Sequence, residues 1–128
     1  HIYGKGEEAY KKVITVTISK IKNEENPQIF GTGDDKRSFL HVSDVCGFIM
    51  NSINLDEYKG VINLCSPHSH TIKKIVEMLL KISNKNLYID FVENKNSVID
   101  FIFDTEKMNQ LLGSEKINIE DGLRSEYK

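Results

Sequence analysis

The stretch from residue 61 to residue 92 constrains the fold more than any other part of the sequence. Its middle, "IKKIVEMLLKIS" at 72–83, places apolar side chains three and four positions apart, which predicts an amphipathic helix. A short apolar run, "VINLC" at 61–65, precedes this helix, and "LYIDFV" at 87–92 follows it. Because a short apolar run suits a strand covered on both faces, the stretch indicates a strand–helix–strand unit of a parallel sheet. The residues predicted on the buried face of the helix are Ile72, Ile75, Val76, Leu79 and Ile82.

A helix and a hairpin are predicted before this unit. Residues 8–22 repeat apolar side chains at helical spacing, on a stripe that includes Tyr10. "QIFG" at 28–31 and "RSFLHV" at 37–42 are typical of short strands, and the turn "GTGDDK" between them favours a hairpin. A second helix then begins, with Ser43 or Asp44 as its N-cap. Its predicted buried face is Val45, Phe48, Ile49, Ser52 and Ile53.

The remaining segments predict loops and short helices. "SPHSHT" at 66–71 is predicted as a loop that ends in a helix cap, either Ser69 or Thr71. "VIDFIFD" at 98–104 indicates a strand or an extended segment, and Asp104 is expected to cap the next helix. In that helix Met108, Leu111 and Leu112 face inward, Gly113 ends it, and a last helix packs through Leu123 and Tyr127. The order of elements indicates an α/β or α+β domain, and we predict a small mixed α/β domain over residues 1–128.

Charge and composition exclude several classes of protein. The 128 residues are enough for one ordinary domain, and the net charge of −2 argues against a surface built to neutralise nucleic-acid phosphates. No run approaches the roughly 18 apolar residues of a membrane-spanning helix. Two cysteines do not form a disulfide framework, so a reducing, cytoplasmic location is expected. Neither nucleic acid nor a membrane is therefore expected as a partner.

Arg37 is the candidate anion-binding residue. It follows the turn that contains Gly31 and Gly33, and its planar guanidinium suits two parallel hydrogen bonds to phosphate or carboxylate. The alternative, purely structural interpretation is an ordinary turn followed by an arginine that is exposed to solvent. The G-x-G pair alone is weak evidence for phosphate binding, because a third glycine is missing and no helix starts directly after it.

Two further groups have a structural and a functional interpretation. Cys65, His68 and His70 stand close enough to raise the question of zinc, but no second cluster supplies a fourth ligand, so no metal site is predicted. Asn63 is a polar residue inside an apolar run. Its amide is either satisfied by neighbouring backbone or points from a strand end into a crevice, where open α/β sheets bind their ligands.

Taken together, four segments resemble the extended short-chain dehydrogenase/reductases, and most of all the NAD-dependent epimerase/dehydratase family acting on nucleotide sugars. "HIYGKG" is similar to the family's N-x-Y-G-P-G segment. "GTGDDKRSFLHVSDV" resembles its G-x-G-x-x-x-R-x-[FW]-[IVL]-[HY]-V-x-D block. "GVINLCSPHSHT" and the pair "FDTEKMNQLLG" and "INIEDGL" resemble the two blocks that follow. The four segments stand in the family's order and cover nearly the whole chain.

The resemblance implies a role for several residues. Arg37 matches the arginine that commonly binds the diphosphate of the nucleotide sugar, and Asp44 matches a helix-capping aspartate. Asn63 matches an asparagine at a strand end beside the substrate. Tyr3 lies in a turn near the cofactor and the sugar, and His1 stands where the family often has a substrate-contacting asparagine. The implied substrate-binding residues are thus Arg37, Asn63, His1 and Tyr3, with no catalytic residue among them.

The resemblance also implies how the activity is divided along a longer chain. The family binds NAD or NADP through a glycine-rich turn and transfers hydride with the help of a Tyr-x-x-x-Lys pair, and neither motif occurs in these 128 residues. Residues 1–128 are therefore expected to be the C-terminal substrate-binding domain, which lacks most of the Rossmann sheet and is inactive alone. Its expected partners are a nucleotide-diphosphate sugar and the N-terminal Rossmann domain of the same chain. No cofactor is expected on residues 1–128 themselves.

Two expectations follow for the isolated residues. The alternative to an enzyme lobe is a non-catalytic binding or interaction module derived from the same family. We expect "VINLC" and "HIYG" to lie against a Rossmann sheet in the whole protein. The isolated residues lack that sheet and therefore present an open strand edge and exposed apolar surface. A homo-oligomer, formed by self-association, is therefore expected for the isolated residues.

Overall fold

The helical periodicities of the sequence produce five α-helices in the part of the chain that is described, residues 1–94 and 98–128 of a computed structural model. These helices are α1 (Val13–Lys22), α2 (Val42–Ser52), α3 (Ile72–Ser83), α4 (Glu106–Leu112) and α5 (Ile119–Tyr127). The strands are short: β1 (Ile2–Tyr3), β2 (Gln28–Phe30), β3 (Lys36–Ser38), β4 (Leu40–His41), β5 (Ser69–Thr71) and β6 (Asp90–Val92). The predicted mixed α/β class is confirmed.

The strands form three separate pairs, and the predicted hairpin between residues 28–31 and 37–42 is wrong. β1 pairs with β4 and β2 with β6, both in parallel, whereas β3 pairs with β5 in antiparallel orientation. The turn between β2 and β3 binds other elements instead of closing a hairpin. Gly31 donates its N–H to Val92 O at 2.8 Å, and Gly33 O accepts the N–H of Lys73 at 3.0 Å.

Two apolar clusters hold these elements together. The larger cluster joins α1, α3 and α5 to the β1 and β4 region through Tyr3, Ile14, Ile18, Ile21, Phe39, Ile75, Leu79 and Leu123. The smaller cluster joins α2 to α4 through Leu40, Val45, Phe48, Met108 and Leu112. Burial of each large apolar side chain contributes about 1.5–3 kcal/mol, so the clusters supply most of the driving force for folding.

The first helix is shorter than the sequence indicates. A 3-10 helix over Glu7–Tyr10 comes first, and Lys11 follows it with a left-handed backbone, φ +48°. Because that conformation interrupts an α-helix, α1 begins only at Val13. Tyr10, predicted on the buried stripe, is 72 % exposed.

The N-terminus of α2 is capped by neither of the predicted residues. His41 is the N-cap, and its Nδ1 accepts the N–H of Ser43 at 3.2 Å. The Asp44 carboxylate is buried and instead accepts the N–H groups of Lys116 at 3.1 Å and Ile117 at 3.0 Å. The cap predicted for Asp44 is thus replaced by a contact with the segment before α5.

The buried face of α2 is also narrower than predicted. Val45 and Phe48 are buried against the smaller cluster, but Ile49, Ser52 and Ile53 are exposed. The reason is that α4 packs along one side of α2 and covers only that side.

The prediction of a buried strand at 61–65 is wrong. These residues form no strand, and Val61 is 75 % exposed. A strand covered on both faces needs neighbours on each side, and 61–65 pairs with no strand of the described residues. The predicted loop at 66–71 contains β5, because Ser69–Thr71 pair with β3.

The later elements agree better with their predictions. Thr71 is the N-cap of α3 and its Oγ1 accepts the N–H of Lys74 at 3.1 Å. Thr105 is the formal N-cap of α4, but Asp104 Oδ1 accepts the N–H of Glu106 at 2.8 Å, so Asp104 does bind the first turn. Of the strand predicted at 87–92, only β6 forms. Residues 98–104 are not a strand, so the prediction of an extended segment applies there. In the described residues no helix combines the length and apolar character needed to cross a membrane.

Candidate functional site

Arg37 and His1, two of the four predicted site residues, line one cavity of about 320 Å³. The elements that surround it are β3, the residue before β1, the starts of α1 and α3, and the 3-10 helix. We call it the Arg37 cavity; its lining residues are His1, Glu7, Lys12, Val13, Arg37, Phe39 and Ile72. A larger groove of about 660 Å³ runs along the outer side of α1 and contains none of the predicted site residues.

The Arg37 guanidinium is held in place by backbone oxygens. Nη1 donates to Lys36 O at 2.9 Å and also to Ile99 O. The guanidinium carbon lies 4.9 Å from the centre of the Phe101 ring, a cation–π distance. A guanidinium fixed in this way loses little conformational entropy when it binds a further group, which favours recognition of a planar pair of oxygens.

Asp35 is the electrostatic competitor of any anion at Arg37. Its Oδ1 lies 3.5 Å from Arg37 Nη2 and also accepts the N–H of Ile99 at 2.9 Å. The Arg37 side chain is 20 % exposed, so it is partly shielded from water but still accessible. A phosphate that binds Arg37 therefore shares the guanidinium with Asp35, since Nη1 is already used by the two carbonyls.

The segment 99–101 is bound along β3 and supplies the groups that fix Arg37. Lys36 donates its N–H to Asp100 Oδ1 at 3.0 Å, and Phe101 donates its N–H to Lys36 O at 3.0 Å. Ser69 Oγ donates to Phe101 O at 2.9 Å from β5. The orientation of Arg37 thus depends on residues about sixty positions later in the chain.

Glu7 and Lys12 are charged residues of the cavity that the sequence did not single out. Glu7 is 8 % exposed, and its Oε1 lies 3.9 Å from Lys12 Nζ. Its other oxygen, Oε2, is buried and has no hydrogen-bond partner among the described residues. Burial raises the pKa of the Glu7 carboxyl, and the positive charge of Lys12 partly opposes that rise. The sequence signal for Glu7 is its position directly after the G-K-G of residues 4–6, where the two glycines allow the backbone to bend.

His1 and Tyr3 lie in very different surroundings. The His1 ring stacks at a tilt on Phe39, with 5.7 Å between ring centres, and His1 O accepts the N–H of Leu40 at 2.8 Å. Tyr3 is 1 % exposed, packs edge-on against Phe39 and His41, and has no hydrogen-bond partner for its hydroxyl in the described residues. Burial and the surrounding carboxylates raise the pKa of Tyr3, which keeps the phenol neutral.

Asn63 does not line the Arg37 cavity. The residue is exposed and lies in the irregular segment 61–65. The interpretation in which the Asn63 amide bonds neighbouring backbone inside a buried strand is therefore wrong. The substrate-binding role predicted for Asn63 stays a prediction.

Cys65, His68 and His70 do not converge on one point. Cys65 is buried beside Asp104 O, while the His68 ring is largely exposed and lies 3.8 Å from Glu115. Burial lowers the pKa of His70, and neighbouring His68 and Lys74 lower it further. Among residues 1–94 and 98–128 no group of three metal-ligating side chains comes together.

The glycine turn before β3 is not shaped for a dinucleotide pyrophosphate. Gly31 and Gly33 have φ +81° and +75°, and the chain then continues into β3. A dinucleotide fingerprint places its glycines at the start of a helix, whose N–H groups face the phosphates. A Cβ on Gly33 would lie 3.0 Å from Ile29 Cγ2 and 3.1 Å from Lys73 Cβ, so close packing explains this glycine.

Comparison with known proteins decides the family. The sequence profile of the NAD dependent epimerase/dehydratase family matches residues 1–65. The chain belongs to this family. It is 31 % identical over 101 residues to the dTDP-4-dehydro-6-deoxyglucose reductase of Escherichia coli, a match that covers 77 % of this chain and 29 % of that enzyme. It is 27 % identical over 115 residues to GDP-L-fucose synthase 1 of Arabidopsis thaliana, covering 85 % of this chain and 34 % of the relative.

Solved structures of the family share the fold. The UDP-N-acetylglucosamine 4-epimerase from Methanobrevibacter ruminantium M1 superposes with a TM-score of 0.86 at 24 % identity, over 99 % of this chain and 42 % of that chain. That epimerase thus has the same fold over this part of its chain as the described residues. The chain spans about a third of the length of the curated relatives it matches.

Proposed function

We propose that this segment is the nucleotide-sugar-binding portion of an NAD(P)-dependent sugar-nucleotide epimerase, dehydratase or reductase. The observation that carries the proposal is the immobilised guanidinium of Arg37 in the wall of the Arg37 cavity. A diphosphate presents paired oxygens at a spacing that a guanidinium matches, and Lys12 adds a second positive charge to the same cavity. Relatives named for dTDP-, GDP- and UDP-linked sugars support this substrate class.

The cofactor chemistry is assigned to the rest of the protein. NAD or NADP supplies or accepts a hydride in enzymes of this type, and the glycine turn of this chain lacks the helix start that a dinucleotide needs. The residues described here bind and orient the nucleotide sugar, exclude water from the cavity and contribute no proton-transfer group. Residues 1–128 alone are therefore inactive under this proposal.

The test is titration of the full-length protein with UDP-glucose, GDP-mannose and dTDP-glucose. Arg37→Ala is expected to weaken binding of the preferred ligand about tenfold to hundredfold, since a charge-assisted hydrogen bond is lost. Arg37→Lys is expected to recover only part of the affinity, because lysine keeps the charge but not the planar pair of donors. Calorimetry measures each dissociation constant.

Lys59→Ala is the matched control. Lys59 is a cationic residue that is exposed and does not line the Arg37 cavity. Unchanged binding after Arg37→Ala, with measurable wild-type binding, contradicts the proposal. Incubation with the same ligands and NAD or NADP, followed by product analysis by NMR, separates the enzyme from the non-catalytic module, since only the enzyme converts the sugar.

A further inference from the structure

Glu7 is a buried carboxylate with an unused acceptor at the Arg37 cavity. The side chain is 8 % exposed, and Oε2 makes no hydrogen bond within the described part of the chain. Leaving a buried polar atom without a partner costs about 1–3 kcal/mol, so such an atom needs an explanation. The nearest cation, Lys12 Nζ, is 3.9 Å from the other oxygen, which is too far for a strong hydrogen bond.

The backbone around Glu7 is held in an unusual conformation. Gly4 and Gly6 have φ +131° and +101°, and Lys11 has φ +48°. Glu7 donates its own N–H to Gly4 O at 3.1 Å, which closes the turn and directs the residue inward. This turn sets Glu7 apart from its exposed neighbour Glu8, whose Oε2 accepts the N–H of Gly6 at 2.9 Å.

The chemistry of the cavity therefore differs from one wall to another. Arg37 and Lys12 supply positive charge for phosphate oxygens, whereas Glu7 supplies an acceptor that a phosphate would avoid. A carboxylate beside an apolar wall of Val13, Phe39 and Ile72 is suited to a neutral donor. The hydroxyl groups are the most numerous neutral donors of a nucleotide sugar, beside the N–H groups of its base.

We propose that Glu7 is a specificity-determining residue whose carboxylate accepts a hydrogen bond from a hydroxyl group of the nucleotide sugar. The inference rests on the proposed function, because it requires a ligand that carries both a diphosphate and hydroxyl groups. The hydroxyl belongs either to the hexose or to the ribose, and ligands with and without the hexose distinguish the two. A site that bonds a ligand hydroxyl rejects an analogue that lacks it, so Glu7 contributes to the choice of sugar nucleotide.

The experiment compares Glu7→Met with Glu8→Met in the full-length protein. Methionine has a similar length and no strong acceptor, and Glu8 does not line the Arg37 cavity. The probes are UDP-glucose, GDP-mannose and dTDP-glucose, each beside its nucleoside diphosphate, and inorganic pyrophosphate, which has no hydroxyl group attached to carbon. Glu7→Leu, which also has no acceptor, is the second variant if Glu7→Met does not fold.

Two changes of opposite sign are expected for Glu7→Met. The preferred nucleotide sugar binds about tenfold to hundredfold more weakly, since a hydrogen bond to a charged group is lost. Pyrophosphate binds as tightly as before or more tightly, because removal of the Glu7 charge makes the cavity that Lys12 and Arg37 line more positive. Loss confined to the sugar nucleotide assigns the hydroxyl to the hexose, and equal loss for its nucleoside diphosphate assigns it to the ribose. Glu8→Met changes none of these affinities.

Other outcomes overturn the inference. Unchanged affinity for every sugar nucleotide after Glu7→Met, while Arg37→Ala weakens binding, rejects the role of Glu7 and leaves the proposed function standing. Weaker binding of pyrophosphate together with a lowered unfolding midpoint shows a purely structural role for Glu7. Absence of wild-type binding to all the sugar nucleotides rejects the proposed function and the inference with it.

Discussion

At the scale of single residues, some buried polar atoms of the described chain have no hydrogen-bond partner. Most buried polar atoms in proteins have a partner, but in the described residues four buried side-chain atoms do not, and Glu7 Oε2 and the Tyr3 hydroxyl are two of them. The Tyr3 hydroxyl faces Gly122, where even a Cβ would lie within bonding distance of the phenol oxygen. Glycine at position 122 is therefore required by the packing of Tyr3 against α5.

Glu7 also links the site to the pH dependence of stability. Burial raises its pKa above the unfolded value of 4.5, so the folded protein binds more protons than the unfolded chain just above that pH. The contribution of Glu7 to the free energy of unfolding of the wild type therefore falls as pH rises above 4.5. Glu7→Gln is expected to remove this part of the slope and to stabilise the protein by about 1 kcal/mol at pH 7.

Urea unfolding between pH 4 and pH 7 measures this effect. The gain from Glu7→Gln is expected to shrink as pH falls toward 4, because the carboxyl becomes increasingly protonated in both states. The exposed neighbour provides the control, since Glu8→Gln replaces a carboxylate that is not buried and is not expected to stabilise the protein. A Glu7→Gln protein that is less stable than wild type at pH 7 would show that the pair with Lys12 outweighs the cost of burial.

At the scale of elements, side chains bind segments that are distant in sequence. Ser38 Oγ donates to Ser66 O at 2.9 Å and accepts the N–H of Ser66 at 3.0 Å, which ties β3 to the start of the loop before β5. Lys85 Nζ donates to Ile21 O at 2.8 Å, which joins the ends of α3 and α1. Such contacts position helices where the strands are too short to do so.

The Asp44 carboxylate has the largest expected effect of these contacts. It is 6 % exposed and each of its oxygens accepts one backbone N–H, from Lys116 and Ile117. Asp44→Asn replaces one acceptor with an NH₂ group that faces a backbone donor. The expected loss is about 2–4 kcal/mol of the free energy of unfolding, since two charge-assisted hydrogen bonds are affected.

Thermal and urea unfolding of Asp44→Asn measure that loss. Asp56→Asn is the control, because Asp56 is an exposed residue and its substitution is expected to change stability by less than about 0.5 kcal/mol. Equal stabilities of the two variants would show that the segment before α5 is held by apolar contacts alone. In that case the packing of Leu123 in the larger cluster, and not Asp44, would position α5.

At the scale of the whole molecule, exposed apolar side chains lie beside short strands. Phe30 on β2 and Phe91 on β6 are 63 % and 53 % exposed, and Ile102 is 67 % exposed. The β2–β6 sheet has only two strands in the described residues, so its outer edges carry backbone groups able to pair with another chain. These features support the expectation of self-association.

Sedimentation of residues 1–128 measures this behaviour. The average mass is expected to rise with protein concentration, and substitution of both phenylalanines, Phe30→Lys with Phe91→Lys, is expected to lower it toward the monomer. Asn54→Lys, at an exposed polar position, is the control for added charge and leaves the association unchanged. A monomeric mass at every concentration would contradict the prediction.

The sequence by itself determined the helices, the mixed α/β class and the family. The apolar spacing of residues 72–83 predicted α3 with the bounds that the structure has. Large aliphatic side chains three and four residues apart form one apolar face, and a helix with such a face is stable once a core covers it. The motif order around Arg37 indicated the epimerase/dehydratase family, which the match over residues 1–65 confirms. These features are local in sequence, so they are visible without coordinates.

Only the tertiary structure decided how the strands pair and what surrounds Arg37. β2 pairs with β6 and β3 with β5 through contacts more than thirty residues apart, and short strands carry too little pattern to reveal such partners. "VINLC" has the composition of a buried strand yet is not one, since its environment decides whether an apolar run is covered. Glu7 reaches the Arg37 cavity because a turn of two glycines folds it inward, and the partners of Arg37 come from residues 99 and 101.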